Sequence, residues 1–206
     1  MIRSSILLFL LLLGMRSVFA ADTVLVFGDS LSAGYGIAVQ QSWPALLAER
    51  LRQQKPPRDL VNASISGETT AGGRSRLPAV LERHRPAVVI LALGANDGLR
   101  GLPLAETRAN LTQMVRAAKT SGARVLLVGM RLPPNYGPEY TRDFSALFAT
   151  LARQEKTALL PFLLEPIALD DAAFQADRLH PTAAAQPKIL DHVWKSLQPV
   201  FHDKNV

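Results

Sequence analysis

Ser30 stands in Phe27-Gly28-Asp29-Ser30-Leu31-Ser32, directly after an apolar, β-branched run. Asn96 stands in Gly94-Ala95-Asn96-Asp97 after a second such run. Asp177 precedes His180 by three residues in Asp177-Arg178-Leu179-His180-Pro181. A serine hydroxyl is a weak nucleophile until a base takes its proton. His180 can be that base, and Asp177 can hold the second ring nitrogen and stabilise the imidazolium. Together they suit acyl transfer through a covalent acyl-enzyme. The tetrahedral intermediate of such a reaction needs donors aimed at its oxyanion. Gly67 can bring a backbone N–H close because it has no Cβ. Asn96 offers a side-chain amide, and the Ser30 N–H is a third donor. Asp170 and Asp171 are rival acids with less natural spacing to His180. His84, His192 and His202 read as structural or exposed. Taken singly, each segment also reads as an ordinary turn. Their order and their placement at strand ends carry the argument.

The elements that must position these residues alternate strand and helix. Strands are expected at 23–27, 59–63, 87–93, 124–128 and 158–161. Helices are expected at 42–54, 71–84, 104–120, 140–154 and 182–197. Ser42 is placed to cap the first of these, and Gly122 to stop the third. Pro78 is expected to kink or restart the second. The strands are short and almost wholly apolar, as in a sheet covered on both faces. The pattern predicts an α/β fold, a three-layer α/β/α sandwich around a parallel, mostly five-stranded sheet. In such sheets ligands bind beyond the carboxyl ends of the strands. Ser30, Gly67 and Asn96 follow the first, second and third strands. The loop Leu132-Pro133-Pro134-Asn135-Tyr136-Gly137 follows the fourth, on the same edge. Leu132, Pro133 and Tyr136 offer it apolar surface for an acyl chain.

The 206 residues divide at about residue 20. Met1-Ile2-Arg3, an apolar run over 6–13 and Val18-Phe19-Ala20 have the form of a cleavable signal peptide. The run is shorter than the roughly 20 apolar residues of a membrane span. Residues 21–206 then suffice for one domain with one core. Loss of Arg3 and Arg16 reduces the formal charge from +6 to +4. Arg74, Arg76, Arg83 and Arg85 read as a solvated helix face. No nucleic-acid motif accompanies them, and weak peripheral contact with anionic lipid is the most that this charge suggests. The absence of Cys excludes disulfides, thiol catalysis and Cys-ligated zinc. The end of the chain from His202 is expected to be disordered. The sequon at Asn62-Ala63-Ser64 reads as coincidence.

Gly28-Asp29-Ser30-Leu31, Gly67, Gly94-x-Asn96-Asp97 and Asp177-x-x-His180 resemble the four blocks of the SGNH (GDSL) hydrolases. Gly28 to Tyr35, Asn62 to Gly67, Asn96 to Gly101 and Arg131 to Gly137 resemble one bacterial periplasmic group within it, with thioesterase I, lysophospholipase and arylesterase activities. The resemblance implies a flavodoxin-like fold, Ser30 as nucleophile, His180 as base and Asp177 as its orienting acid. It implies Ser30, Gly67 and Asn96 as the oxyanion hole. It implies no metal and no cofactor, and a mobile loop 132–137 lining the acyl groove. Ala95 departs from the Gly that often stands in the third block, adding a methyl beside the oxyanion hole. The Gly-x-Ser-x-Gly elbow of α/β-hydrolases is absent. The expected activity is hydrolysis of small-molecule esters and thioesters: aryl esters, short to medium acyl esters, lysophospholipids and acyl-CoA-type thioesters. The expected protein is a periplasmic or secreted monomer that binds no nucleic acid. Two rival readings are a carbohydrate O-deacetylase on the same scaffold and a non-catalytic lipid-binding module.

Overall fold

Period-two burial organises the molecule. The structure, a computed structural model, describes residues 23–202. The expected signal peptide and the residues after His202 lie outside the described residues. Five parallel strands form one sheet: β1 (Val24–Gly28), β2 (Leu60–Asn62), β3 (Val88–Ala92), β4 (Arg124–Val128) and β5 (Ala158–Leu160). Successive side chains of a strand point to opposite faces. Val24, Val26, Val88, Ile90, Leu126 and Val128 accordingly enter one apolar cluster, with Trp43, Leu47, Ile189 and Val193. Leu25, Phe27, Val89, Leu91, Val125 and Leu127 enter the other, with Leu77, Leu111, Phe144 and Phe148. Helices α2 (Trp43–Arg52) and α7 (Gln186–Leu197) cover the first face. Helices α3 (Thr70–His84), α5 (Leu104–Thr120) and α6 (Pro138–Glu155) cover the second. The expected three layers are present.

Strand order is β2-β1-β3-β4-β5. The chain leaves β1 toward one face and β3 toward the other, so the crevice of this sheet opens between those two strand ends. Two short helices occupy it: α1 (Ser30–Ala33) and α4 (Ala95–Leu99). Both segments read as turns in the sequence, because four or five residues display no helical period.

Local chemistry accounts for most boundaries. The Ser42 side chain accepts from the Ala45 N–H and caps α2, with Pro44 in the first turn. Gly122 ends the α5 region at φ 87°. Pro78 does not break α3, which runs through it as one helix. The ring removes the hydrogen bond to the Arg74 carbonyl, but Arg74 and Pro78 are both exposed, so water can take the partner's place.

Candidate active site

Gly28 ends β1 because nothing larger fits: a Cβ there would lie 2.8 Å from Ser32 Oγ and 2.9 Å from the Ala92 carbonyl oxygen. Asp29 follows as the N-cap of α1, its Oδ1 accepting from the Leu31 N–H at 3.1 Å. Ser30 is therefore the first residue of a one-turn helix that Gly34 terminates at φ 79°. The turn is pinned from two sides. The buried Trp43 donates its indole N–H to the Leu31 carbonyl at 3.1 Å, and Asn62 Nδ2 donates to the Ser32 carbonyl at 2.8 Å.

The acid and the imidazole reach this turn from the far end of the chain. Phe174 and Pro181 form an isolated antiparallel bridge, and the residues between them loop out. Arg178 adopts φ 57° at the tip, a left-handed conformation that costs a non-glycine residue on the order of 1 kcal/mol. That bend folds His180 back onto Asp177. Nδ1 of His180 lies 2.7 Å from Asp177 Oδ2, and Nε2 lies 2.8 Å from Ser30 Oγ. An ionised Asp177 can only accept, so Nδ1 carries the proton and Nε2 accepts from the serine hydroxyl. Asp177 Oδ1 accepts from the N–H groups of Leu179 and His180 at 2.9 and 3.0 Å. Burial pushes the Asp177 carboxyl up. The two backbone donors and the His180 ring outweigh it and hold the group down at about 2.

The Asn96 amide sits between neighbours of Ser30 and Gly67. Its Nδ2 donates to the Glu68 carbonyl at 3.0 Å and lies 3.5 Å from Asp29 Oδ2. Gly67 adopts φ 78°, which a side chain would strain. Neither the Ser30 N–H nor the Gly67 N–H is engaged by another described group. Asp97, buried behind them, ties the two loops together. It accepts from the Thr70 N–H at 2.8 Å, from Thr70 Oγ1 at 2.5 Å and from Thr107 Oγ1 at 3.4 Å. The starts of α3, α4 and α5 are thereby joined.

A cleft of about 550 Å³ opens from Ser30 and His180. Its walls are mainly apolar, with Leu31, Met130, Phe162, Leu164 and Phe174 among them. Leu132 and Pro133 line it, and so does Ala95. Among the described residues, no group of three or more His, Asp or Glu is arranged to hold a metal ion.

The model of the GDSL-like lipase/acylhydrolase family matches residues 26–186. The chain belongs to that family. It is an SGNH-type serine hydrolase, and its relatives are correspondingly near. It is 50% identical over 182 residues to esterase TesA of Pseudomonas aeruginosa, covering 88% of this chain and 90% of that one. It is 46% identical over 197 residues to thioesterase 1/protease 1/lysophospholipase L1 of Escherichia coli K12, covering 95% and 93%. The crystal structure of the psychrotrophic esterase EstA from Pseudoalteromonas sp., inhibited by monoethylphosphonate, superposes with a TM-score of 0.84 at 38% identity, covering 88% of this chain and all of that one (100%).

Against this GDSL-family frame, the structure brings Ser30, Asp177, His180 and Asn96 together, with Leu132 and Pro133 beside them. Tyr136 is placed differently: its hydroxyl donates to the Leu99 carbonyl at 3.1 Å, and the residue lines an adjoining groove with Gly137 and Tyr140 and is not among those lining the cleft. The rival acid Asp170 caps Ala172 and faces Lys188, away from His180. His192 bonds the Phe162 carbonyl. Arg76 does not join a free basic face: it pairs with Glu68 and covers the Phe27 ring. Two residues near the reacting groups escaped the sequence reading. Asp29 is buried, and burial pushes its carboxyl up to about 6, against the Leu31 N–H and the His180 charge. Its place directly before the serine, at a helix start, was the only signal. Gln175 packs against the Asp177–His180 loop, and nothing local marks it.

Proposed function

We propose that this chain hydrolyses carboxylic esters and thioesters through an acyl-enzyme on Ser30. The observation that carries this reading is the continuous contact Ser30 Oγ–His180 Nε2 and His180 Nδ1–Asp177 Oδ2, at 2.8 and 2.7 Å, at the head of an apolar cleft. Ser30 Oγ attacks the acyl carbon while His180 Nε2 takes its proton. The oxyanion accepts from the N–H groups of Ser30 and Gly67 and from Asn96 Nδ2. Collapse breaks the bond to the alcohol or thiol, which leaves with the proton from His180. Water then attacks the Ser30 ester, giving its proton to Nε2, and the carboxylic acid leaves as Ser30 Oγ regains a proton. Asp177 stays ionised throughout, consistent with its low proton affinity.

Aryl esters, short to medium acyl chains, lysophospholipids and acyl-CoA-type thioesters are the substrate classes we assign. The apolar walls suit the acyl chain, each buried CH₂ contributing about 0.8 kcal/mol. The names of the two relatives span esterase, thioesterase and lysophospholipase. Residues 1–20 are assigned as a signal peptide and 21–206 as one catalytic domain, acting as a periplasmic or secreted monomer without cofactor. Among the described residues, no helix is long and apolar enough to cross a membrane.

The test is a substrate series on residues 21–206: p-nitrophenyl esters from acetyl to palmitoyl, acyl-CoA, lysophosphatidylcholine and acetylated xylan. Turnover of the aryl esters and thioesters, with a maximum at short to medium chains, is expected. Activity confined to acetylated xylan would replace the reading with carbohydrate O-deacetylation. No turnover of any member would leave a lipid-binding module.

A further inference from the structure

We infer that Gln175 is a positioning residue that holds the His180 imidazole against Ser30. The inference rests on the acyl-enzyme reading above. The serine arrives on the turn after β1, and the imidazole arrives about 150 positions later on the loop before α7. Asp29, Trp43 and Asn62 hold the Ser30 turn and Asp177 holds the His180 loop, but the catalytic distance depends on how the two loops are held to one another. Gln175 joins them. Its Nε2 donates to the Tyr35 carbonyl at 2.9 Å, on the Ser30 side, and to the Pro181 carbonyl at 3.0 Å, on the His180 side. A primary amide has two N–H donors, so both are used and the orientation of the amide is set. The backbone of the same residue closes the acid–base loop: its N–H donates to the His180 carbonyl at 2.8 Å, and its carbonyl accepts from the Arg178 N–H at 2.9 Å.

The surroundings leave the amide little freedom. Gly36 presses on it so closely that a Cβ at that position would collide with the Gln175 side-chain oxygen. The Tyr35 ring, carried by the same clamped segment, lies 4.5 Å from the His180 ring. The segment whose Tyr35 carbonyl Gln175 holds thus also carries an aromatic ring beside the imidazole. Gln175 touches neither the Ser30 hydroxyl nor the imidazole nitrogens. It acts through the two loops.

A misplacement of about 1 Å at reacting atoms costs on the order of 10²-fold in rate. Gln175→Met keeps the length and removes both donors, and Gln175→Glu keeps the shape but sets a carboxylate against two carbonyl oxygens. For both, kcat on p-nitrophenyl acetate is expected to fall about 10- to 100-fold with KM within about 3-fold. Phosphonate labelling of Ser30 should slow in parallel. Folding is checked by circular dichroism and urea unfolding, and Gln175→Asn, which retains the donors on a shorter stem, should lie between wild type and Gln175→Met. Wild-type kcat in a folded Gln175→Met protein would overturn the inference, as would a rise in KM alone. Failure of both Met and Glu variants to fold would also overturn it, because the residue would then hold the domain and not the pair. Ser30→Ala, run alongside, keeps the two readings apart: full activity in that variant would fail the acyl-enzyme, while a dead Ser30→Ala beside a wild-type-like Gln175→Met would fail only the clamp.

Discussion

Asp29→Asn should change how stability depends on pH. The Asp29 carboxyl is 1% exposed. Burial raises it from 3.8 to about 6, although the Leu31 N–H and the His180 charge oppose the rise. The native state therefore holds the proton more tightly than the unfolded chain. Below about pH 3.8 the group is protonated in both states, and its contribution to stability is fully present. As pH rises the unfolded chain releases its proton first, and stability falls until the native group has also ionised, above about pH 6. A difference of about two units corresponds to about 3 kcal/mol. Asparagine has the same shape, keeps an oxygen for the Leu31 N–H and cannot ionise. Urea unfolding of both proteins from pH 4 to pH 8 reads this group together with its coupling to the His180 charge, while titrations remote from Asp29 are shared. The stability of Asp29→Asn relative to wild type should rise by about 3 kcal/mol across that range, mostly between pH 4 and pH 6.5. A difference that stays constant with pH would refute the reasoning and show that the Asp29 carboxyl is solvated or already compensated.

Other outcomes follow from the same geometry. Asn96→Ala should lower kcat by about 10²- to 10³-fold with little change in KM, because an oxyanion donor matters most when charge develops in the transition state; loss of affinity alone would make it a substrate-positioning group. Leu132→Ala should shift the preferred acyl chain toward shorter lengths, read as kcat/KM across the p-nitrophenyl series, whereas Tyr136→Ala should change that profile less, because Leu132 lines the cleft and Tyr136 lines an adjoining groove. Gly98→Ala should destabilise by about 1–3 kcal/mol in urea, since its methyl would lie 2.6 Å from the Phe144 ring and 2.8 Å from Leu132.

Much of the fold was legible because its signals are local. Helix α5 and strand β4 lie at the expected bounds, 104–120 and 124–128. Periodicity marks one, an apolar run marks the other, and Gly122 separates them. Strand-end placement likewise put the site beyond the carboxyl ends of the strands, because in a parallel sheet that edge is where loops converge; the crevice between β1 and β3 follows from the strand order. What the sequence hid is long-range or a matter of burial. Helices α1 and α4 are too short to show a period. Pro78 was expected to kink or restart α3, and its exposure accounts for the helix continuing through it. The Asp29 carboxyl reads as a turn residue until its enclosure is seen. Gln175 spans 140 residues to reach Tyr35, and no spacing rule reports such a contact. Tyr136 lies in the anticipated loop, but its hydroxyl bonds the Leu99 carbonyl, a tertiary partner that no local pattern reports.

The measurement that bears most directly on the central claim is covalent trapping. The protein is incubated with a p-nitrophenyl alkylphosphonate, its intact mass is recorded, and the modified peptide is sequenced. One phosphonyl group per chain on Ser30, with p-nitrophenol release in step with loss of esterase activity, is the predicted result. Ser30→Ala and His180→Ala should remain unlabelled over the same interval. Labelling at any other residue, or continued ester turnover by a folded Ser30→Ala protein, would contradict the acyl-enzyme mechanism.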